Sequence, residues 1–451
     1  MPSLQDKLRG KIANRTAHVA IIGLGYVGLP LATAFAKAGF RTIGVEVNQR
    51  KVDSIAAGRS YIPDVQDDEL APHVRSGRLT ATSEYDVLRE ADAMFICVPT
   101  PYDAQRAPDL SYIRAASYGI RPRMKSGQLI VLQSTTYPGT TEEIVQPILE
   151  KSGLKVGVDF YLAFSPERID PGNKQWSAYN MPKVVGGITP ECTRLACDLL
   201  SQMGAPVHPV SSPRVAELTK LLENTFRAVN IALVNELALL AERMGIDFWE
   251  VIEAAKTKPF GFMPFTPGPG VGGHCIPVDP YYLSWKAREY DYYTEFIELA
   301  GEVNQAMTHH VVDLVCQGLS LQGKPLRDAR VLVLGVAFKP DIDDARNSPA
   351  ERVIELLLSR GAHVRYHDPY VPRFQVGDDV FHREAVVLES VPLTEEEIAA
   401  ADCVVVVTDH HSLDYERVVK HANLVVDTRN ATAGIAGHRE TIVRLGAPMA
   451  E

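Results

Sequence analysis

The segment from His18 to Glu46 restricts the fold of this 451-residue chain more than any other segment. An apolar run over 18–22 leads directly into the glycine turn GLGYVG at 23–28, and residues 29–38 have the apolar spacing of a helix. A second apolar run follows over 41–47. A strand, a glycine turn, a helix and a second strand in this order are typical of a βαβ unit, in which the two strands are parallel. The segment therefore predicts an α/β domain built on a parallel sheet.

The glycines of this turn have the spacing of a dinucleotide-binding fingerprint. Gly23 suits a tight turn, Gly25 suits close approach of a pyrophosphate, and Gly28 suits close packing of a helix whose N-terminal N–H groups favour an anion. Glu46 follows at the end of the next strand, where its carboxylate can accept the adenosine-ribose hydroxyls and repel a 2′-phosphate. The pattern favours NAD over NADP, although the basic residues just after Glu46 weaken that preference. A purely structural glycine turn is the alternative.

The pattern of strands and helices continues through three regions. Apolar runs at 93–98, 129–132 and 161–164 alternate with helical stretches, and the alternation restarts at 329. Between them, Pro213 to Gly245 carries helically spaced apolar residues without a helix breaker, which predicts one long helix. The predicted fold class is two Rossmann-like doubly wound parallel-sheet domains joined by a central long-helix, all-α domain. The predicted domains are residues 1–207, 208–318 and 319–451.

The turn after the first strand of the last domain differs from the first fingerprint. Residues 335–339 keep one glycine, Gly335, and lack the GxGxxG spacing. This turn is predicted to bind something other than a dinucleotide pyrophosphate.

Composition narrows the class of partner. The formal net charge of −10 disfavours nucleic acids and acidic membranes as non-specific partners, because both repel an acidic protein. The six cysteines form no CxxC pair, which predicts reduced thiols rather than a disulfide framework, and we predict no metal site. No apolar run approaches the roughly 20 residues that a membrane span requires, and residues 1–16 lack the apolar core of a signal peptide. We expect a cytoplasmic protein with small-molecule partners.

The run from Pro267 to Pro280 sets one thiol, Cys275, in a glycine-rich turn four residues before Asp279. Glycines permit close approach of backbone and ligand, and His274 and Asp279 make the surroundings polar. An accessible thiol in a polar site suits a nucleophile, whereas a buried small hydrophobe is the commoner fate of a free cysteine. The other cysteines lie in apolar strands or helical stretches, where the core reading is favoured.

Two further sets of polar residues are candidates for chemistry. Glu217, Lys220 and Asn224 share one face of the long helix. They form either a solvated stripe or a cation and an amide that stabilise an oxyanion in a cleft. Glu167 follows an apolar strand, at the edge where open α/β sheets bind ligands, and is either a general base or a surface acid.

Together these motifs resemble the UDP-glucose/GDP-mannose dehydrogenase family over essentially the whole chain. The resemblance rests on motifs in the family's order: GLGYVG at 23–28, CVPTP at 97–101, STT at 134–136, SPE at 165–167, 217–224, GGHC at 272–275, FK at 338–339 and DTR at 427–429. It implies an NAD-binding domain, a central dimerisation domain and a C-terminal domain that binds the UDP-sugar, in a homodimer or higher homo-oligomer.

The resemblance also implies the reaction and its residues. The family oxidises the sugar C6 alcohol to a carboxylate with two NAD. Lys220, Asn224 and Asp279 would handle the alkoxide and an ordered water. Cys275 would form a thiohemiacetal and then a thioester, which water activated by Glu167 or Asp279 would hydrolyse. Implied NAD contacts are Gly23, Gly25, Tyr26, Val27, Gly28, Glu46, Lys51, Val98, Thr100, Thr135 and Arg346, and implied sugar-nucleotide contacts are Glu167, Arg168, Lys220, Asn224, Gly272, Phe338, Lys339 and Arg429.

The residues around Cys275 are most similar to the UDP-N-acetylhexosamine branch, and most closely to UDP-N-acetylglucosamine 6-dehydrogenases. His274 stands where UDP-glucose enzymes usually have a serine or similar small residue, and Glu46 replaces the usual aspartate. UDP-N-acetylmannosamine and UDP-glucose remain alternative substrates. A two-electron NAD dehydrogenase without a nucleophilic cysteine, and a ligand sensor with vestigial catalytic residues, are the remote alternatives.

Overall fold

The computed structural model describes residues 3–62, 64–103, 106–169, 175–378 and 385–448. It forms two units, each with its own core. The first unit comprises Met1–Glu223 and Trp285–Tyr292, and the second comprises Asn224–Ser284 and Tyr293–Glu451.

The apolar runs of the first unit form one sheet in the order β3-β2-β1-β4-β5-β6-β7-β8. Its strands are β1 His18–Ile22, β2 Arg41–Val45, β3 Leu79–Thr82, β4 Ala93–Ile96, β5 Leu129–Leu132, β6 Tyr161–Phe164, β7 Lys183–Gly187 and β8 Val207–Val210. Every neighbouring pair is parallel except β6 and β7, which are antiparallel. A parallel return needs a crossover, commonly a helix, and the described residues between β6 and β7 contain none.

Helices that bury apolar residues alternate with these strands along the chain. They are α1 Leu4–Ala13, α2 Gly28–Lys37, α3 Gln49–Ala56, α4 Asp67–Arg75, α5 Ser111–Ile120, α6 Gln146–Glu150 and α7 Pro190–Ser201. The buried residues of α2 pack with those of β1 and β4 in a single apolar cluster. This core fixes the carboxyl edge of the strands, where the candidate site residues of this unit lie.

The predicted long helix is α8, Pro213–Met244. It begins at a proline, which suits a first helical turn, and ends before Gly245, whose φ of 72° is left-handed. Its polar residues Glu217, Lys220 and Asn224 are buried, whereas large apolar residues on the helix are exposed. The helix therefore buries these three polar residues together with its smaller apolar residues and leaves a stripe of large apolar side chains exposed.

The second unit combines helices with a smaller sheet. Its remaining helices are α9 Phe248–Ala255, α10 Asp279–Ala287, α11 Glu295–Leu321, α12 Pro349–Ser359, α13 Glu395–Ala400 and α14 Tyr415–His421. Its strands are β9 Arg330–Leu334, β10 His363–His367, β11 Arg373–Val376, β12 Val386–Glu389, β13 Cys403–Val406, β14 Val425–Asp427 and β15 Ile442–Arg444. The main sheet has the order β10-β9-β13-β14-β15 with every pair parallel, and β11 with β12 forms a separate antiparallel ribbon.

The core of the second unit joins the helical and sheet parts. Buried residues of α8, α9 and α11 pack in the same apolar cluster as those of β9 and α12. Among the helices that the structure describes, none is long and apolar enough to cross a membrane.

Candidate active site

The glycine turn at 23–28 has one position that the protein leaves open. A Cβ on Gly23 (φ 88°) would lie 2.6 Å from the Cys97 carbonyl oxygen, and one on Gly28 would lie 1.8 Å from the Gly23 carbonyl oxygen. A Cβ on Gly25 would meet nothing within 4 Å. Helix α2 starts at Gly28, and its N-cap residue Val27 makes no side-chain capping bond. Gly25 thus leaves open space before a helix N-terminus that no side chain caps, and Tyr26 and Val27 lie between the two. This arrangement fits a pyrophosphate.

Glu46 is tied to this turn. One oxygen of its buried carboxylate accepts a hydrogen bond from the Leu24 N–H at 3.0 Å, and the other accepts one from the Asn48 N–H at 3.0 Å. The Lys51 ammonium lies 4.0 Å from the same carboxylate. Since an ionised carboxylate has about four lone-pair positions, Glu46 keeps acceptor capacity for ribose hydroxyls.

The other predicted NAD contacts of the first unit lie at the carboxyl ends of neighbouring strands. Val98 and Thr100 follow β4, and Thr135 follows β5. The Ser134 hydroxyl donates to the Val98 carbonyl oxygen at 2.7 Å and so ties the two connections together. These residues share one sheet edge with the glycine turn, which is where open α/β sheets bind ligands.

Glu167 is buried, so the surface-acid alternative is wrong. Its carboxylate lies between the Lys183 ammonium, the Gln133 amide and two backbone N–H groups. Burial alone would raise the pKa of Glu167, but Lys183 and the backbone hydrogen bonds lower it below the ordinary value. The neighbouring Arg168 pairs with Glu223 at 2.6 Å.

Glu217 and Lys220, the two candidate residues of α8 in the first unit, are buried, so the solvated-stripe alternative is wrong for them. Glu217 accepts from the backbone N–H groups of Gly139 and Thr141 and from the Thr141 hydroxyl, at 2.6 to 3.0 Å. Burial raises the pKa of Glu217, and these hydrogen bonds oppose the rise. Lys220 is only 7% exposed and makes no hydrogen bond or ion pair within the described ranges. Glu217 thus caps a neighbouring turn, whereas Lys220 is a buried cation that suits an anionic or hydroxyl ligand.

One turn further along α8, the second unit begins with Asn224. Its amide donates to the Asp279 carboxylate at 2.6 Å, and both residues are buried. Asp279 opens helix α10, and its backbone N–H donates to the Cys275 carbonyl oxygen at 2.8 Å. Cys275 is half-buried. Within the second unit, the predicted carboxylate and amide are therefore hydrogen-bonded to each other, and the backbone of Asp279 is hydrogen-bonded to that of the predicted nucleophile.

The glycines before Cys275 admit a neighbouring loop. A Cβ on Gly272 would lie 2.7 Å from the Phe338 Cβ, and one on Gly273 (φ 89°) would lie 3.0 Å from the Phe338 ring. The Asn347 amide donates to the Gly273 carbonyl oxygen at 3.0 Å, and the Gly273 N–H donates to the Arg346 carbonyl oxygen at 3.0 Å. Glycine is therefore needed at both positions because another loop of the protein packs closely against them.

Arg346 is held by a residue that the sequence analysis missed. The Asp344 carboxylate accepts several hydrogen bonds from the Arg346 guanidinium, the shortest at 2.6 Å. Burial raises the pKa of Asp344, but Arg346 lowers it below the ordinary value. The guanidinium also lies 3.3 Å from Nδ1 of His274, beside Cys275. A DxR spacing was the only local signal for this pair.

The second glycine turn already holds a carboxylate of the chain itself. The Val336 and Ala337 N–H groups donate to Asp368 at 2.7 and 3.0 Å. Nδ1 of His410 accepts from the Asp341 N–H, so its Nε2–H donates to Asp368 at 3.0 Å. No helix opens from this turn in the described residues before α12. That this turn binds something other than a dinucleotide pyrophosphate stays a prediction.

The predicted sugar-nucleotide contacts of the second unit lie near that turn and at the next strand ends. Phe338 and Lys339 follow β9, and Arg429 follows β14. Nε of Arg429 donates to the Val407 carbonyl oxygen at 2.9 Å, and a Cβ on Gly268 would lie 2.6 Å from its guanidinium. Among the described residues, no group of three or more His, Cys, Asp or Glu side chains could hold a metal ion.

Family models match the chain in three consecutive segments. The NAD binding domain of the UDP-glucose/GDP-mannose dehydrogenase family matches residues 17–203, its central domain matches 214–306, and its UDP binding domain matches 332–434.

Relatives cover most of the chain. A UDP-N-acetyl-D-glucosamine 6-dehydrogenase of Pseudomonas aeruginosa is 39% identical over 371 residues, which are 82% of this chain and 85% of that protein. An NDP-N-acetyl-D-galactosaminuronic acid dehydrogenase of Ralstonia nicotianae is 36% identical and covers 91% of this chain and 95% of its own. The solved structure of a UDP-D-ManNAc dehydrogenase of Pyrococcus horikoshii aligns with a TM-score of 0.85 and 33% identity over 95% of this chain and 99% of its own.

Proposed function

Since the chain belongs to the UDP-glucose/GDP-mannose dehydrogenase family and is an NAD-dependent UDP-sugar dehydrogenase, we propose that it oxidises the C6 alcohol of UDP-N-acetylglucosamine to the uronate. The product would be a precursor for surface polysaccharides. The observation that carries the proposal is the segment that joins half-buried Cys275 to the Asn224–Asp279 pair. A two-electron dehydrogenase has no need of such a thiol.

Each residue has a role that its surroundings support. NAD, which the glycine turn at 23–28 and Glu46 would hold, would supply the hydride acceptor for the sugar carbon. The Lys220 ammonium and the Asn224 amide stabilise the alkoxide, since a buried cation and a fixed donor favour developing negative charge. The Cys275 thiolate attacks the aldehyde carbon and forms a thiohemiacetal, and loss of a second hydride to a second NAD would leave a thioester on the sulfur. Asp279 takes a proton from the water that cleaves the thioester and so releases the acid and the free thiol.

Binding of the nucleotide part falls to residues at the sheet edges. Lys339 and Arg429 would offer positive charge to the diphosphate, and Gly272 with Phe338 would border the sugar nucleotide. In the first unit, Arg168 would contact the sugar nucleotide, and Arg346 of the second unit would contact NAD.

The choice of sugar rests on similarity. The Pseudomonas aeruginosa UDP-N-acetyl-D-glucosamine 6-dehydrogenase, at 39% identity, favours the gluco epimer. The Pyrococcus horikoshii UDP-D-ManNAc dehydrogenase structure, at a TM-score of 0.85, favours the manno epimer as the second candidate. UDP-glucose is the third.

We further propose that α8 packs against a second copy of the chain in a homodimer. Its exposed apolar residues recur at helical spacing: Val215, Leu218, Leu222, Phe226, Leu233, Leu237, Leu240 and Met244. Leu222, at 63% exposed, and Leu240, at 50%, would leave water on association. Chemistry that depends on a reduced thiol suits a reducing compartment, so we place the enzyme in the cytoplasm.

We also propose that the chain has three functional domains, at residues 1–207, 208–318 and 319–451.

The test incubates the protein with NAD and each of UDP-N-acetylglucosamine, its manno epimer and UDP-glucose, and counts NADH per sugar. We expect about two NADH per uronate, with the gluco epimer turned over at the highest kcat/KM. Cys275→Ser would abolish acid formation, whereas Cys316→Ser, at another half-buried cysteine of the same unit, would not. One NADH per sugar with an aldehyde product would overturn the thioester route, and tight binding without turnover would indicate a sensor.

A further inference from the structure

Two buried asparagines of the second unit, Asn235 on α8 and Asn304 on α11, are hydrogen-bonded to each other. The Asn235 amide donates to the side-chain oxygen of Asn304 at 2.9 Å, and the Asn304 amide donates to the Ala228 carbonyl oxygen at 3.1 Å. The side-chain oxygen of Asn235 accepts from the Gly268 N–H at 2.9 Å. A buried amide is costly unless it is hydrogen-bonded, so these bonds hold both side chains in place.

Backbone groups at the two ends of this chain of hydrogen bonds set its direction. The Gly268 N–H can only donate, and the Ala228 carbonyl oxygen can only accept. Each amide therefore has one orientation that satisfies both ends, with its oxygen toward Gly268 and its nitrogen toward Ala228. A side chain at position 235 must both accept and donate to keep the turn at 267–270 joined to the two helices.

The turn at 267–270 is buried and touches a predicted substrate contact. A Cβ on Gly268 would lie 2.6 Å from Nη1 of Arg429, so the backbone of the turn lies directly against the guanidinium. A Cβ on Gly270 would lie 3.1 Å from the backbone carbonyl oxygen of Asn304. From Gly270 the chain continues to Cys275 through the glycines that pack against Phe338. The turn therefore joins the place of Arg429 to the start of the Cys275 segment.

We propose that Asn235 and Asn304 are positioning residues, which hold the turn at 267–270 so that it fixes both the Arg429 guanidinium and the start of the Cys275 segment. The inference rests on the proposed function, in which Arg429 contacts the UDP-sugar and Cys275 is the nucleophile. Nε of Arg429 donates to the Val407 carbonyl oxygen, and the turn packs against Nη1 of the same guanidinium.

Binding of UDP tests the proposal without turnover. Calorimetric titration would compare the wild type with Asn235→Ala and with the control Asn423→Ala, whose amide donates to backbone carbonyl oxygens at 399 and 401. Since Asn235→Ala leaves the buried Gly268 N–H without its acceptor, the turn should shift and UDP binding should weaken by about tenfold. Asn423→Ala should bind UDP like the wild type, and NAD affinity should stay unchanged in both. Wild-type UDP affinity in Asn235→Ala would overturn the proposal.

Gly268→Ala serves as a second variant if Asn235→Ala does not fold. The φ at this position is not left-handed, and the three atoms nearest to the new Cβ all belong to the Arg429 guanidinium. The guanidinium must then move, so UDP binding should weaken by about tenfold, whereas Gly434→Ala, with nothing within 4 Å of its Cβ, should change nothing. Unchanged UDP binding in Gly268→Ala would contradict the role of the turn.

Asn235→Asp separates hydrogen bonding from packing. An ionised aspartate accepts from Gly268 but cannot donate to Asn304, whereas a protonated one does both, as asparagine does. UDP affinity relative to the wild type at the same pH should therefore recover in Asn235→Asp as the pH falls from about 8 to about 5, because burial raises the pKa of a carboxyl. If Asn235→Asp at the lowest pH still binds UDP as weakly as Asn235→Ala, the hydrogen bonds do not position the turn.

Alkylation by iodoacetamide reports on the other end of the turn. Because Cys275 is half-buried, a loosened turn should expose it, and mass spectrometry of its peptide should show alkylation at least about threefold faster in Asn235→Ala, with the rate at Cys316 unchanged. The kcat for UDP-sugar should fall by about ten- to 10²-fold. An unchanged alkylation rate with a wild-type kcat would overturn the link to Cys275. If the wild type oxidises no UDP-sugar, the proposed function fails, whereas UDP binding and alkylation still report on the turn.

Discussion

The glycine turn at 23–28 predicts that two neighbouring substitutions have opposite consequences. In Gly28→Ala the new Cβ would lie 1.8 Å from the Gly23 carbonyl oxygen and 3.3 Å from the Ile21 side chain. In Gly25→Ala it would meet nothing within 4 Å, and the φ at that position is not left-handed. The first change crowds the protein, whereas the second occupies only the space next to the uncapped start of α2.

The expected changes in unfolding free energy and in NAD affinity follow from these contacts. Overpacking typically costs about 1–3 kcal/mol, and a clash with backbone puts Gly28→Ala at the upper end, about 3 kcal/mol. The better helix propensity of alanine returns about 1 kcal/mol, so the net loss is about 2 kcal/mol. At about 2–4 °C per kcal/mol, the Tm should fall by about 4–8 °C. Gly25→Ala should change stability by less than about 0.5 kcal/mol but weaken NAD binding at least about tenfold, or about 1.4 kcal/mol.

The assay combines thermal unfolding with and without NAD and a calorimetric NAD titration of each variant. For Gly25→Ala the Tm without NAD should equal that of the wild type, and the rise in Tm caused by NAD should shrink. The reasoning is refuted if Gly25→Ala binds NAD as tightly as the wild type, or if Gly28→Ala unfolds at the wild-type temperature.

Three further substitutions test the polar contacts. Asn224→Ala removes a donor to Asp279 and should lower kcat by about 10²-fold or more while the calorimetric NAD affinity stays unchanged. Glu217→Ala leaves backbone N–H groups at 139 and 141 without their acceptor and should cost about 1–3 kcal/mol of unfolding free energy in urea. Asp368→Ala breaks a buried network with His410 and should cost about 3–5 kcal/mol at neutral pH. Burial raises the pKa of Asp368, but His410 and backbone donors lower it overall, so this cost should shrink as the pH falls below about 4; a cost independent of pH would contradict the role of the charge.

Local sequence signals were enough to predict the main elements of the fold. The strand and glycine turn before α2, the limits of α8 at Pro213 and Gly245, and the second α/β region all follow from apolar periodicity and helix-breaking residues. The family resemblance gave Asn224 and Asp279 a shared task, but the hydrogen bond between them was not predicted. It joins residues 55 positions apart, which no local pattern encodes.

Partners distant in sequence account for what was missed. Lys183 opens an apolar strand, and nothing in its neighbourhood indicates that it faces Glu167, because the antiparallel pairing of β6 with β7 brings them together. The burial of Glu217 was likewise hidden, since helical spacing shows which residues share a face but not which face is covered.

The carboxylate of Asp368 affects which of the two glycine turns can bind the coenzyme. It carries the same sign of charge as a phosphate and already accepts hydrogen bonds from the two backbone N–H groups that a phosphate could bind at the second turn. A dinucleotide arriving there would meet repulsion as well as competition. In a chain with two similar folds, a carboxylate at one turn can in this way restrict an anionic coenzyme to the other turn and leave the first turn to a different ligand.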